Sequence, residues 1–406
     1  MADFVERYDV HPRHFWLHGP RSGQPVEFDA ETGIWNVYGY PEAQAIFSDP
    51  ATFSSDTMRL IPKSLMPGGE DFSMEGFITQ IDPPEHGKLR KLVSSAFTRK
   101  VVADLEPRIA ALTHELLDAA AERGRFELVT DLAYPLPVIV IAELLGVPSG
   151  DRALFKRWAD ALFERDTKIS LAEPAEPAED QDVDQDVDLQ ATLRPWKEMS
   201  DYLAGHAAER RTRPRADLLT KLVEAEMDGE RLPDDQVVNF AIVLLLAGHI
   251  TTTMLLGNTV LCLDAFPEQQ DLVRADRSTI PAVIEEALRY LPPFAAVGRS
   301  TTREVELGGV TVPADQMLLT WVGAANRDPR QFPAPGAFDP GRDPNPHLSF
   351  GRGIHFCLGA PLARLEGRTA LGILLDRFTR LRTDPDDPVE FMPTPTMTGV
   401  RRLPLV

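Results

Sequence analysis

Residues 239–253 run Asn-Phe-Ala-Ile-Val-Leu-Leu-Leu-Ala-Gly-His-Ile-Thr-Thr-Thr. A helix of this sequence is apolar almost all round, and such a helix is stable in water only when other elements wrap it on every side. The chain must therefore build a thick core around one central rod, and 406 residues with 43% hydrophobic content suffice for that. As a helix the rod has weak points. Gly248 costs about 1 kcal/mol relative to alanine, and Thr251, Thr252 and Thr253 stand where leucine would be the better helix former. Mid-helix threonines bond a preceding carbonyl and can open the turn, which predicts a small groove lined by hydroxyl and freed carbonyl. Helical periodicity extends over about 88–288, while strand-like pieces are short: a hairpin over 302–312 around Gly308-Gly309, a strand over 33–38, and another near 397–405. The fold class is mainly α with small β-sheets, and no composition break divides residues 1–406 into more than a single domain.

A second constraint is Phe350-Gly351-Arg352-Gly353-Ile354-His355-Phe356-Cys357-Leu358-Gly359. It sets one cysteine in a glycine-rich loop directly ahead of a helix, with Pro361 where an early turn accepts it and Leu362, Leu365, Leu371, Leu374 and Leu375 at helical spacing. Unpaired N–H groups at a helix start favour an anion, which predicts a lowered thiol pKa and a good metal ligand at Cys357. Gly351, Gly353 and Gly359 leave room for a flat, bulky cofactor to approach the backbone. The pattern is not C-x-x-C-H, and no second cysteine or histidine stands at zinc spacing, so one axial thiolate remains. The other cysteine, Cys262, lies in Val260-Leu261-Cys262-Leu263 and reads as packing.

F-G-x-G-x-H-x-C-x-G closely resembles the haem-binding signature of the cytochrome P450 monooxygenases. The resemblance implies that family's fold, with one haem b per chain between the central helix and the cysteine-loop helix. It also makes Cys357 the iron ligand and sets Phe350, Gly351 and Gly359 against the cofactor. Thiolate donation of this kind favours cleavage of the O–O bond of dioxygen. A haem brings two propionates, which an enclosed site must neutralise. Asp82-Pro83-Pro84-Glu85-His86-Gly87-Lys88-Leu89-Arg90 matches the family pattern D-P-P-x-H-x-x-x-R, and with Arg299 and His355 it makes His86 and Arg90 the expected propionate partners.

In the central segment, Ala247, Gly248 and Thr251 match the family's oxygen-binding motif, alanine-glycine-any-acid-threonine. The acid is missing: Ile250 holds its place, and His249 is the variable position. Proton delivery for O–O cleavage is then expected to rest on Thr251 with ordered water. Glu286 and Arg289 resemble the family's structural pair, which locks to a meander matched by Ala325-Asn326-Arg327-Asp328-Pro329, Phe332-Pro333 and Phe338-Asp339. An apolar substrate pocket is expected from Val243, Ala247, Ile250, Phe294, Val297 and Met397, closed by the apolar loop 58–78.

The formal net charge of −20 argues against nucleic-acid binding, which needs basic surface. Locally, Lys88, Lys91, Arg99, Lys100, Arg352 and Arg364 offer a basic face for an acidic ferredoxin, which with a ferredoxin reductase would pass on electrons from NAD(P)H. No flavin or Rossmann-type unit is evident to supply them from within. The opening residues have neither the basic start nor the apolar stretch of a signal peptide, so a cytoplasmic protein without membrane attachment is expected. Residues 171–188, with tandem Ala-Glu-Pro and Gln-Asp-Val-Asp units, read as an acidic flexible insertion between two lid helices, 152–163 and 193–211. The resulting reading is insertion of one oxygen atom of O2, by hydroxylation or epoxidation, into an apolar secondary metabolite, first among them a macrocyclic polyketide. Three readings stand beside it: a hydroxylase of a carrier-protein-tethered amino acid, a non-catalytic haem-binding protein, and a peroxide-driven oxidase.

Overall fold

The computed structural model describes residues 2–19, 23–61, 75–94, 97–163, 182–227 and 229–406. Its axis is the helix Asp234–Ala265, which starts after Pro233 with Asp234 and Asp235 in the first turn, where acidic side chains suit the helix dipole. Helices Pro135–Leu145, Asp182–Thr212, Ile280–Tyr290 and Ala360–Arg377 pack around it. By length and apolarity alone this helix could cross a membrane, but 72% of its apolar window is buried within the protein. Several polar groups inside it have partners, whereas His249 Nε2 and Asn258 Oδ1 are buried without one. Thr251 Oγ1 donates to Ala247 O at 2.9 Å and Thr253 Oγ1 to His249 O at 2.9 Å, while Asn258 Nδ2 reaches Leu291 O and Thr398 O.

The threonines do not open the turn, for the helix runs unbroken from 234 to 265 and the Ala247 carbonyl is occupied rather than freed. Gly248 has a packing reason of its own. A Cβ there would lie 2.8 Å from Ile141 Cγ1, so its absence lets helix Pro135–Leu145 approach closely.

Strands are short and lie at the periphery. Gly308 and Gly309 both have positive φ (59° and 85°), the conformation of a two-residue turn that twists with its strands, and they join Val305–Leu307 to Val310–Val312. The five-stranded sheet runs Val26–Asp29, Ile34–Val37, Met317–Thr320, Val297–Thr301, Phe53–Ser54, with one parallel pair, Ile34–Val37 beside Met317–Thr320. Of the C-terminal strands, Val400–Arg402 pairs with nearby Glu390–Phe391, while Pro404–Leu405 finds its partner far away in sequence, at Phe126–Glu127.

Helix Arg152–Phe163 falls where the periodicity put it. The next helix begins at Asp182 instead of near 193, so the second half of the acidic stretch is helical and not loop. Residues 171–181 lie outside the described residues.

Glu286 and Arg289 are fully buried and ion-paired at 2.7 Å. Arg289 also donates to the carbonyls of Asn326, Pro335 and Ala337, and Glu286 accepts from Asp339 N and Asn345 Nδ2. A pair worth a few tenths of a kcal/mol on an exposed helix thus fastens helix Ile280–Tyr290 to the irregular segment that leads into the cysteine loop.

Candidate active site

Cys357 lies three residues before helix Ala360–Arg377. Gly351 and Gly353 adopt φ of +66° and +68°, which bends the loop back so that Cys357 N donates to Phe350 O at 2.8 Å. At Gly353 a Cβ would come within 2.3 Å of Phe47 O, so only glycine fits this close approach. Around Gly359, by contrast, the nearest atom a Cβ would meet is Cys357 Sγ at 4.0 Å, which leaves open space on the sulfur side. The thiol is half-buried. Its pKa is pushed up, not down as the helix start predicted, because burial outweighs the N–H groups of Gly359 and Ala360 and the charges of Arg90 and Arg364. A buried sulfur of this kind becomes a thiolate when a metal ion supplies the counter-charge.

Four basic side chains converge beside this loop. The His86 and His355 rings lie 4.2 Å apart, and Arg90 and Arg299 are near enough, with His86, to hold the His355 pKa down to about 3, after burial as the largest cause. Burial likewise lowers His86, and it brings Arg299 down to about 10. His86 Nε2 is buried with no hydrogen-bond partner. Arg299 is 8% exposed, and its one hydrogen bond goes to the carbonyl of its neighbour Gly298. Arg90 donates to Phe356 O, and His355 Nε2 pairs with Ser55 Oγ at 2.8 Å. A cluster of basic groups in which His86 Nε2 has no partner and buried Arg299 bonds only to its neighbour's carbonyl calls for an anion. The two propionates of a haem fit that requirement, and the donor set fits its iron. Among the described residues no group of three or more His, Cys, Asp and Glu could chelate a metal, whereas a haem needs only one axial sulfur from the protein.

On the central helix, Val243, Ala247 and Thr251 stay partly or wholly accessible while most of their neighbours are buried. Four-residue spacing puts them in one row. Phe294, 38% exposed, also faces open space; Val297 is half-buried, and Met397, bridged to Phe294, is buried in the core. Ile250 does not join this row. It lies 9% exposed with His249, Thr253 and Met254 on another face, lining a separate cavity, because one residue along a helix turns the side chain by about 100°. Phe350 is buried, with Arg364 over its ring at 4.4 Å and ion-paired to Glu285, so Arg364 is engaged, whereas Lys91, Arg99, Lys100 and Arg352 are exposed. Of loop 58–78, Phe77 stacks on Trp196 at 5.3 Å, while residues 62–74 lie outside the described residues. Ser55, 300 residues from His355, had no sequence signal. Asp82, which accepts from Ser55 N and Ser54 Oγ, was visible only as part of the D-P-P pattern.

The family model described as Cytochrome P450 matches residues 28–405. The chain belongs to the cytochrome P450 family. This P450 is 46% identical over 393 residues to the erythromycin C-12 hydroxylase of Saccharopolyspora erythraea, covering 96% of this chain and 93% of that protein. It is 44% identical over 390 residues to the cyclomarin C epoxidase CymV of Salinispora arenicola, covering 96% and 94%. Among solved structures, the post-tailoring hydroxylase HmtN of himastatin biosynthesis superposes with a TM-score of 0.85 at 54% identity, over 100% of this chain and 99% of that one. The P450 is thus a monooxygenase of a haem-iron family, related to enzymes named for hydroxylation and epoxidation in secondary metabolism.

Proposed function

We propose that this P450 carries out a late oxygenation, hydroxylation or epoxidation, of a large apolar secondary metabolite, with a macrocyclic polyketide as the first candidate. The observation that carries this reading is the row Val243, Ala247 and Thr251, an apolar strip ending in a hydroxyl on an otherwise buried helix. Relatedness to a hydroxylase named for erythromycin supports a macrocycle. Bound haem b, one per chain, would supply the activation of O2, with electrons from NAD(P)H arriving through a ferredoxin and its reductase.

In this reading Cys357 Sγ would hold the haem iron, with the Phe350–Gly359 turn keeping the sulfur in place, and His86, Arg90, Arg299 and His355 would bind the propionates. Val243, Phe294 and Val297 exclude water and orient the apolar substrate. Thr251 donates its own proton to Ala247 O, so its Oγ1 lone pairs are left to accept a hydrogen bond from a water and to hold that water's proton beside the reaction site. Ile250 can move no proton, so the relay rests on Thr251 and water. The exposed Lys91, Arg99, Lys100 and Arg352 suit an acidic electron donor.

The reduced, carbon-monoxide-bound protein should show the red-shifted Soret band of thiolate ligation. With a surrogate ferredoxin and reductase, a macrolide panel should yield a product one oxygen atom heavier. Thr251→Ala should lower product formed per NAD(P)H consumed several-fold with little change in substrate affinity. Turnover only of a carrier-bound amino acid would replace the substrate class, and a histidine-type band would overturn the ligand assignment.

A further inference from the structure

On another face of the central helix from Thr251 lies a cavity of about 1080 Å³, near the upper end for sites that take a drug-sized molecule. Leu117, Val129, Ile250, Met254 and Val400 contribute apolar surface to it. Part of its charged lining is already paired, Arg123 with Asp131, Arg401 with Glu390, and Arg402 with Asp387, while Arg125, Glu127, Lys156 and Asp384 line it as well. A charged ligand would have to compete with those pairs, whereas an apolar one would not.

One polar group in the lining is left over. His249 is 0% exposed and sits at 5.8 Å, edge-on, from the Tyr134 ring, another lining residue. Its Nδ1 lies 2.6 Å from Leu245 O. A carbonyl only accepts, so Nδ1 carries the hydrogen and Nε2 presents a lone pair. That Nε2 is buried and has no partner. Nε2 is on the opposite side of the ring from Nδ1, which is turned back to its own helix, and His249 is among the residues that line the cavity. Burial holds the ring's pKa down to about 4, so it is neutral at pH 7 and remains an acceptor.

We infer that this cavity is a second ligand site, which takes an apolar small molecule carrying a hydroxyl that donates to His249 Nε2. It is separated from the row of Val243, Ala247 and Thr251 by the thickness of one helix, and it is distinct from the substrate position proposed above.

The test uses the haem-loaded enzyme with its iron side blocked by saturating 4-phenylimidazole, followed by the azole's spectral shift. Calorimetric titration with 2-naphthol should then show one molecule bound per chain, with the azole spectrum unchanged. His249→Leu, which keeps bulk but removes the acceptor, should weaken naphthol binding about tenfold or more. Ala121→Trp, at an exposed position of the lining, should abolish it, and both variants should retain the azole shift. Absence of naphthol binding to the blocked wild type, displacement of the azole by naphthol, or equal affinity in all three proteins would overturn the inference. A protein with no azole shift would instead count against the haem assignment, so the two failures are distinguishable.

Discussion

Arg299 shows how much a single side chain can reveal about what belongs beside it. A guanidinium 8% exposed, whose burial lowers its pKa to about 10 and whose hydrogen bond goes only to its neighbour's carbonyl, is waiting for an anion. Arg299→Leu should therefore speed haem loss to apomyoglobin by tenfold or more while leaving the secondary structure seen by circular dichroism intact. Glu366 is the converse case, a carboxyl 1% exposed with an unpartnered Oε2, whose pKa burial raises from 4.5 to about 8. Between those pH values the folded chain holds a proton that the unfolded chain has released, so stability falls as pH rises from about 4.5 to 8. Glu366→Gln should remove that part of the slope and be the more stable protein above pH 8, as read by urea unfolding at several pH values. Cys357 was legible in the sequence because its signal is contiguous over ten residues. Which face of the central helix Ile250 occupies was not, since apolar residues on every side erase the periodicity that would orient it.

Elements were legible where local chemistry determines them and illegible where packing does. Gly308-Gly309 announces its hairpin, and helix Arg152–Phe163 its own apolar stripe. The run 182–188 looked like loop because its aspartates have low helix propensity, yet its backbone is helical. Gly353 couples both levels, with a positive φ and a would-be Cβ against Phe47 O. Gly353→Ala should cost at least about 1 kcal/mol from backbone strain alone, and it should diminish the thiolate-type carbon-monoxide band because the cysteine turn has to shift. Equal band intensity in wild type and variant would show that the loop tolerates the change. Gly248 carries a related lesson: a residue read as a weak point of the helix lets Ile141 approach from helix Pro135–Leu145.

Across the whole molecule, distant segments are bound by a few buried polar ties. Arg289 and Glu286 are each 0% exposed and join the 280–290 helix to carbonyls and amides spread over 326–345. Arg289→Leu would leave a buried carboxylate without its paired cation and three carbonyls without this donor, at about 3–5 kcal/mol, and should appear as a lower urea midpoint accompanied by haem release. By spacing alone the sequence offered an E-x-x-R, and only the family resemblance tied it to the meander, since burial, which gives the pair its weight, arises from the other segments. The same dependence on distant parts governs how the protein is born. Strand Ile34–Val37 gains its parallel neighbour only at Met317–Thr320, and Pro404–Leu405 closes against Phe126–Glu127. A ribosome must therefore deliver nearly the entire polypeptide before its first strands can be completed. Until then those strand edges lack their final partners, and an incomplete chain is open there to pairing with its neighbours.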